Sequence, residues 1–196
     1  MATAPNNLEV EIKLAIASPA VARRLLREKG FHVVKPRVFE ANDVFDTRDL
    51  RLRKSESLLR VRQVRKEAKL TFKAPPQSAK HKSREELEVE AGSAQTLGDI
   101  LARLGFQRVF RYEKYRTEFR RGRKGVVTLD ETPIGTYLEL EGPPDWIDGT
   151  AALLNFQEND YITLSYGRLY LDWCAQHKVK PGDMVFKNQV FKNQAN

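Results

Sequence analysis

The stretch Leu8-Glu9-Val10-Glu11-Ile12-Lys13-Leu14 alternates strictly between apolar and charged residues. Side chains of a β-strand point to opposite faces in turn, so this alternation predicts a strand with one apolar and one charged face. Glu9, Glu11 and Lys13 share the charged face. Like charges on one face repel each other unless a cation lies between them. The stretch therefore predicts a strand whose charged face requires cationic partners.

Seven further segments are predicted to be extended, most of them with the same alternation. They lie at residues 31–47, 58–65, 69–73, 84–90, 106–120, 125–131 and 137–141, with Pro36 interrupting the first. A charged face on its own is typical of a sheet with one solvated side. A solvated face normally also contains Ser, Thr, Gln and Asn, whereas these positions are almost solely Glu, Asp, Lys and Arg. The pattern therefore predicts a charged surface that binds a ligand.

The composition limits the class of protein. The chain has 196 residues, a net charge of +8 and 41% hydrophobic residues, which is enough for one domain with a core. No apolar run reaches the roughly 18 residues of a membrane span, and residues 1–7 lack the apolar centre of a signal peptide. The single cysteine, Cys174, excludes an internal disulfide and fits a reducing cytoplasm. The positive charge predicts an anionic partner without identifying it.

Helices are predicted between and after the strands. Ser18 and Pro19 are typical of a helix start, and Gly30 of the end of that helix. A second helix is predicted over residues 94–104, and apolar residues at three- and four-residue steps predict a last helix from Ser165. The predicted fold class is therefore α+β.

The predicted organisation is one domain, residues 1–178, followed by a C-terminal extension, residues 179–196. The extension contains the five residues Val-Phe-Lys-Asn-Gln twice in succession, and two copies are too few for a repeat fold. We assign the extension no function. The apolar helical end of the domain is compatible with a homodimer.

Acidic residues occur two apart on several strands. The pairs are Glu9/Glu11, Glu86/Glu88 and Glu139/Glu141, with Asp130 nearby. Carboxylates that converge from different strands suit a hard cation such as Mg²⁺ or Mn²⁺. If the sheet closes into a barrel, these acids face Lys and Arg side chains from other strands across a charged interior. Such an interior would bind a chain of phosphates together with a metal ion.

A family resemblance follows from these segments. The marker is E-x-E-x-K at Glu9–Lys13, and further family-like segments follow in order at residues 44–47, 59–62, 70–73, 84–88, 113–116, 127–130, 135, 138–141 and 165–166. Together they resemble the CYTH superfamily (adenylyl cyclase and thiamine triphosphatase), also called triphosphate tunnel metalloenzymes. The resemblance implies an eight-stranded antiparallel closed β-barrel with a charged interior, flanked by amphipathic helices.

The resemblance also implies roles for individual residues. The implied metal-site residues are Glu9, Glu11, Glu139 and Glu141, with Glu88 and Asp130 as helpers. The implied triphosphate-binding residues are Lys13, Arg60, Arg62, Lys73, Lys114 and Arg116. The implied catalytic residues are Glu9, Glu11, Lys13 and Arg60, and the implied cofactor is Mg²⁺ or Mn²⁺. Because Glu86, Glu88 and Glu90 all share one face, the register of this strand stays open.

Two reactions are consistent with the resemblance. A hydrolase would cleave inorganic tripolyphosphate or an organic triphosphate such as thiamine triphosphate or a nucleotide. A class IV adenylyl cyclase would convert ATP to cyclic AMP and pyrophosphate. We favour hydrolysis, because a charged lining supplies phosphate recognition, whereas base recognition needs contacts that the sequence does not identify. A non-catalytic binder of polyphosphate or nucleic acid ranks below both, because the paired acids would repel a nucleic-acid backbone.

Two smaller features receive structural interpretations. The basic run at residues 79–84 is interpreted as a solvated, mobile loop at a tunnel mouth, with attraction of phosphates as the less favoured alternative. Cys174, on an apolar helix face, is interpreted as a core thiol.

Overall fold

The computed structural model describes residues 8–77 and 80–186 of the chain. The strands are β1 (Leu8–Ile16), β2 (His32–Thr47), β3 (Leu58–Val64), β4 (Glu67–Lys73), β5 (Lys82–Ala91), β6 (Phe106–Arg120), β7 (Val126–Thr132) and β8 (Gly135–Glu141). The helices are α1 (Pro19–Glu28), α2 (Arg51–Lys54), α3 (Ala94–Arg103), α4 (Pro144–Leu153) and α5 (Tyr166–His177), with a 3₁₀ helix at Glu158–Asp160. All eight predicted extended segments are strands, with bounds that differ by at most two residues.

The eight strands form a closed barrel in the order β1-β5-β4-β3-β2-β6-β7-β8. Every neighbouring pair is antiparallel, and the barrel closes because β8 pairs with β1. In that closing pair Glu11 lies opposite Glu141 and Lys13 lies opposite Glu139. The predicted closed antiparallel barrel is confirmed.

The sequence predicted that Pro36 interrupts the segment that forms β2, and that prediction was wrong. The strand is continuous from His32 to Thr47, with register shifts against β6 between Val33 and Lys35 and between Lys35 and Val38. Proline has no backbone N–H for the ladder, and a local irregularity accommodates that loss without ending the strand.

The apolar core lies outside the barrel, between the strands and the helices. Outward side chains such as Ile12 and Leu140 pack with Leu26 of α1 and Ile147 of α4, and all four are fully buried. On another side, Leu101 of α3 joins a second buried cluster. The barrel interior is therefore left to the charged side chains. No helix in the described part of the chain is long and apolar enough to cross a membrane.

Helix α5 packs across one end of the barrel. Tyr112 lies two residues before Lys114 on β6 and so shares its inward face, and its ring contacts that of Tyr166 at the start of α5, with centroids 6.1 Å apart. Upstream of α5, Ile162 forms an isolated β-bridge with Lys13. Downstream of it, Met184 bridges to Tyr112 and is 1% exposed. Residues 161–184 therefore pack against the barrel on both sides of α5.

Most of the sequence duplication falls outside the described residues. Of its first copy the structure describes only Val185 and Phe186, and the second copy, residues 190–194, lies beyond them. The ring of Phe186 packs on Tyr115 of β6, with centroids 5.2 Å apart.

The short helix α2 was not predicted from the sequence. It begins after β2, where the Asp46 carboxylate accepts hydrogen bonds from the backbone N–H groups of Leu52 and Arg53, both at 2.9 Å. A carboxylate suits the unpaired donors at a helix start. This single side chain therefore fixes α2 near the barrel end.

Candidate functional site

The barrel encloses a cavity of about 1370 Å³. Eleven of the twelve residues predicted for the site line it, and Asp130 is the exception. The eleven are Glu9, Glu11, Lys13, Arg60, Arg62, Lys73, Glu88, Lys114, Arg116, Glu139 and Glu141.

One side of the cavity is acidic. We call Glu9 and Glu11 of β1 with Glu139 and Glu141 of β8 the acid wall. Burial, together with repulsion from Glu9, Glu11 and Glu139, raises the pKa of Glu141 to about 7. Burial and the neighbouring Glu11 also raise the pKa of Glu9. By contrast, nearby cations outweigh burial and lower the pKa of Glu11 and Glu139, so the unstabilised negative charge of the acid wall lies at Glu9 and Glu141.

Three of the four acids are in contact with internal cations. Nζ of Lys73 lies 2.5 Å from both carboxylate oxygens of Glu9, and Nζ of Lys82 lies 2.9 Å from Oε1 of Glu11. Arg116 hydrogen-bonds to Glu139.

Lys13 of β1 directs its Nζ between carboxylates of the two acidic strands. Its Nζ is 3.3 Å from a carboxylate oxygen of Glu11 and 3.3 Å from one of Glu139. Burial opposes the charge of Lys13, but the two carboxylates outweigh it and raise the lysine pKa. Lys13 is therefore a fixed positive charge beside the acid wall.

The acid wall fits a hard divalent cation by its chemistry. Carboxylate oxygens are the ligands that Mg²⁺ and Mn²⁺ prefer, and a cation would relieve the repulsion that raises the pKa of Glu141. Among residues 8–77 and 80–186, no three Asp, Glu, His or Cys side chains are already grouped for metal binding. A metal ion would therefore compete with Lys73, Lys82 and Arg116 for these carboxylates.

The opposite side of the cavity is basic. We call Arg60 and Arg62 of β3 with Lys114 and Arg116 of β6 the basic wall; these two strands flank β2, which lies across the ring from β1, and Arg116 reaches the acid wall at Glu139. Arg60 donates to the Tyr112 hydroxyl at 3.2 Å and to Thr71 at 3.3 Å.

A buried acid that the sequence reasoning missed lies within the basic wall. Glu40 of β2 is 4% exposed, and Oε2 of its carboxylate lies 3.8 Å from Nζ of Lys114. Burial opposes its charge, but Lys114 and Arg116 outweigh that effect and lower its pKa. Glu40 was missed because its part of β2 shows no alternation of charged and apolar residues.

Asp130 is completely buried and bonded to the basic residues. Its carboxylate accepts from Nζ of Lys114 at 2.8 Å, from Nε and Nη2 of Arg116 at 2.7 and 2.6 Å, and from the Tyr166 hydroxyl at 2.7 Å. Its contacts thus join β6, β7 and α5. The predicted role of Asp130 as a metal-site helper stays a prediction.

The structure places the three acids of β5 in different surroundings. Glu86 and Glu88 line the cavity, whereas the side chain of Glu90 is 83% exposed. Glu88 accepts from Arg62 at 2.8 Å and from Lys69 at 2.6 Å. Although burial opposes its charge, these partners lower the pKa of Glu88 to about 2. Its contacts are therefore with basic residues, away from the acid wall.

The interpretation of residues 79–84 as a solvated loop was wrong for most of its described part, residues 80–84; residue 79 lies outside the described residues. His81, Lys82 and Arg84 are buried at 6–7% exposure, and both Lys82 and Arg84 line the cavity. Nε of Arg84 lies 3.5 Å from Oε2 of Glu9. The signal was present in the sequence, because Lys82 and Arg84 continue the alternation of Glu86 and Glu88 towards the start of β5.

Near α5 the cavity lining includes a group of apolar side chains among charged ones such as Arg168, Asp172 and Asp183. Leu164 and Leu171 line it although they are 42% and 40% exposed. We call this region the apolar mouth; its residues are Val44, Leu52, Leu58, Phe110, Leu164 and Leu171.

A closed antiparallel barrel with acidic and basic walls facing across its interior has the architecture of a triphosphate tunnel. The chain belongs to the CYTH domain family, whose model matches residues 7–155. Members of this family are adenylate cyclases or triphosphatases and act on small triphosphate substrates.

Individual proteins resemble the chain over most of its length. A candidate adenylate cyclase of Methanocaldococcus jannaschii is 29% identical over 134 residues, which are 68% of this chain and 76% of that protein. A solved protein of Pyrococcus horikoshii is 26% identical, with a TM-score of 0.70 over 84% of this chain and 98% of its own. A candidate adenylyl cyclase of Hippeastrum, described as having a dominant triphosphatase activity, shares the fold at 23% identity, with a TM-score of 0.63 over 84% and 95% of the two chains.

Proposed function

We propose that this protein is a divalent-metal-dependent triphosphatase that hydrolyses a triphosphate held inside the barrel. The observation that carries the proposal is the pairing of an acid wall with a basic wall across one cavity. Basic side chains alone would bind a polyanion, but the buried carboxylates would weaken that binding unless they took part in the chemistry. The two walls together are typical of phosphoryl-transfer sites, where metal ions and cations share the phosphate charge.

The chain's own residues supply most of the binding charge. The acids around them outweigh burial and raise the pKa values of Lys13 and Arg116, so both stay protonated at neutral pH. Arg60 is held by Tyr112 and Thr71 and is therefore oriented before substrate binds. Fixed cations of this kind neutralise a phosphate chain and stabilise the charge that develops as a phosphoryl group is transferred.

The acid wall would hold Mg²⁺ or Mn²⁺, which when bound polarises phosphoryl oxygens and lowers the pKa of water. In hydrolysis the oxygen of a water in line with the terminal phosphorus would form a new bond to it as the bond to the bridging oxygen breaks. The leaving chain takes the electron pair of the broken bond, and the proton lost by the water passes to solvent. Lys73 and Lys13, which contact the acid wall, would stabilise that leaving chain.

The apolar mouth supports an organic triphosphate over inorganic tripolyphosphate. A bare phosphate chain would contact only the charged part of the cavity and leave Leu164 and Leu171 exposed. An organic group attached to the triphosphate would cover them, and burial of apolar surface is favourable. The same mouth gives specific support to the second candidate, a class IV adenylyl cyclase, because it offers an apolar seat for a nucleobase.

The proposal is tested by phosphorus NMR of the purified protein with Mg²⁺ or Mn²⁺, offered tripolyphosphate, thiamine triphosphate and ATP separately. Release of orthophosphate supports a triphosphatase, and cyclic AMP with pyrophosphate from ATP identifies a cyclase instead. The double variant Glu9→Gln, Glu11→Gln should lose activity at least about 100-fold, and chelation of the metal should have the same effect. The matched control is Glu28→Gln, a 61%-exposed acid on α1. Absence of turnover with all three compounds and both metals would overturn the proposal.

Three expectations from the sequence stay predictions beside this proposal. They are the homodimer, the cytoplasmic location and the domain boundary after residue 178.

A further inference from the structure

A polar cluster outside the cavity ties the start of β5 to α4. We call it the Asp148 cluster; its members are Lys80, His81, Asp148, Glu158 and Tyr161. Oδ1 of Asp148 lies 2.7 Å from Nε2 of His81 and accepts from the Tyr161 hydroxyl at 3.1 Å. Nζ of Lys80 lies 3.1 Å from Oδ2 of Asp148 and 3.1 Å from Oε2 of Glu158.

Asp148 is the centre of this cluster and carries a negative charge. Partial burial opposes that charge, but hydrogen bonds from His81, Lys80 and Tyr161 outweigh it and lower the pKa of Asp148. Its side chain is 38% exposed, whereas His81 is 7% exposed. Asp148 therefore anchors a buried side chain from the surface of α4.

His81 of the cluster is adjacent in sequence to Lys82, which lines the cavity, but the two side chains point in opposite directions. His81 directly precedes Lys82, and consecutive residues of an extended chain point to opposite sides. His81 is thus directed to α4, while Lys82 reaches Oε1 of Glu11 in the acid wall at 2.9 Å.

The β-ladder alone does not fix this part of β5 against β1. The pairing of β1 with β5 ends at the Glu11–Lys82 pair. Beyond it, the edge of β1 at Lys13 pairs with Ile162 instead. Lys82 is therefore the last residue of β5 held by β1, and the next residue outward is His81.

We propose that Asp148 is a positioning residue: acting through His81, it holds the Lys82 ammonium against Glu11 in the acid wall. The two contacts, on opposite sides of the chain at adjacent residues, fix the start of β5 between α4 and the cavity. Loss of the His81–Asp148 contact would let this end of β5 move away from β1, and Lys82 would leave Glu11. The consequence for turnover rests on the proposed function, whereas the placement of Lys82 does not.

The placement is measured by acetylation of the folded protein with an amine-reactive reagent, followed by mass spectrometry of each lysine. In the unmodified protein burial lowers the pKa of Lys82 to about 8, but at 6% exposure Lys82 should still react slowly because the reagent cannot reach its amine. Lys80, with a 44%-exposed side chain, should react fast. Asp148→Ala should raise the rate at Lys82 about tenfold or more, because a hydrogen bond to a charged group is lost. Lys73, buried to a similar degree on β4 and bonded to Glu9, should keep its rate.

Two variants separate positioning from simple loss of stability. Asp148→Asn keeps an oxygen that can accept from His81 and should restore most of the protection of Lys82. Asp145→Ala removes an exposed acid from the first turn of the same helix and should leave Lys82 protected. An unchanged Lys82 rate in Asp148→Ala would overturn the proposal, and so would an equal rise at Lys82 and Lys73, which would indicate general loosening.

A second readout is turnover, wherever the unmodified protein has it. Asp148→Ala should lower kcat/KM with the substrate found by phosphorus NMR, and Asp148→Asn should recover most of the loss. If the unmodified protein turns nothing over, the proposed function fails, but the acetylation pattern still decides the placement of Lys82. If turnover is present and unaffected although Lys82 becomes reactive, Asp148 does not position a residue that the reaction needs.

Discussion

Replacement of Asp130 by Asn is expected to destabilise the protein strongly. Asp130 is fully buried, and its carboxylate accepts four hydrogen bonds, from Lys114, from two nitrogens of Arg116 and from Tyr166. An amide of the same shape has no negative charge and a single acceptor oxygen. The variant would leave the Lys114 and Arg116 charges inside the barrel with fewer partners.

The magnitude follows from the burial of the partners. Removing one member of a buried ion pair costs about 3–5 kcal/mol. Arg116 keeps Glu139 and Lys114 keeps Glu40 as other partners, so we expect the lower end, about 3 kcal/mol. For a domain of this length each kcal/mol lowers Tm by about 3 °C, which gives a loss of about 10 °C.

The matched control is Glu131→Gln on the neighbouring residue of β7. Glu131 points outward and pairs with Arg23 and Arg37, whose side chains are 43% and 45% exposed. Exposed pairs contribute about 0–1 kcal/mol, so this control should lower Tm by less than about 3 °C. Both variants are compared by urea unfolding followed by tryptophan fluorescence and by thermal melting. If Asp130→Asn loses no more stability than Glu131→Gln, the buried carboxylate is not what holds the basic wall in place.

Three further predictions concern single side chains. Because the folded pKa of Glu88, about 2, lies below the ordinary 4.5, its ion pairs stabilise the fold above pH 4.5, and that stability is lost as the pH falls towards 2. Glu88→Gln should therefore unfold at lower urea than the unmodified protein at pH 7, and the two midpoints should converge by pH 2; a constant difference would contradict this. Gly125→Ala should cost about 1–3 kcal/mol in urea unfolding, because its Cβ would lie 2.5 Å from the Trp146 ring, whereas Gly149→Ala, inside α4 with open space, should stabilise by about 0.5–1 kcal/mol. Ser165→Ala removes the side-chain cap of α5 and should lower the free energy of unfolding by about 1 kcal/mol; no change would show that the cap is replaced by water.

Most of the fold was predicted from the alternation of apolar and charged residues along the sequence. This alternation located most of the strands, because a strand with one apolar and one charged face has a period of two, whereas much of β2 lacks that period. Alternation gave no signal for α2, which has four residues and depends on Asp46. Pro36 does not interrupt β2, because that long strand is held by neighbouring strands on both sides. Such features depend on tertiary contacts.

The site was predicted less completely than the fold, for a related reason. Eleven of the residues predicted from the sequence line one cavity, but residue types and spacing did not show which acid contacts which base. The contacts of Asp130 join β6, β7 and α5, and the burial of Lys82 depends on Glu11 across the β1–β5 ladder. His81 and Asp148 lie far apart in the sequence and show no pattern. Pairings of this kind are set by barrel closure and are not local.

The closure of β8 onto β1 also bears on how the chain folds. One edge of β1 is paired only when residues 135–141 form β8 beside it, so that edge stays open until those residues are synthesised. Long-range strand pairing is slow, and an open edge invites pairing between chains. Charged residues along such an edge discourage that association. We therefore expect Glu9, Glu11 and Lys13 to discourage association of the unfinished chain before they have any ligand to bind.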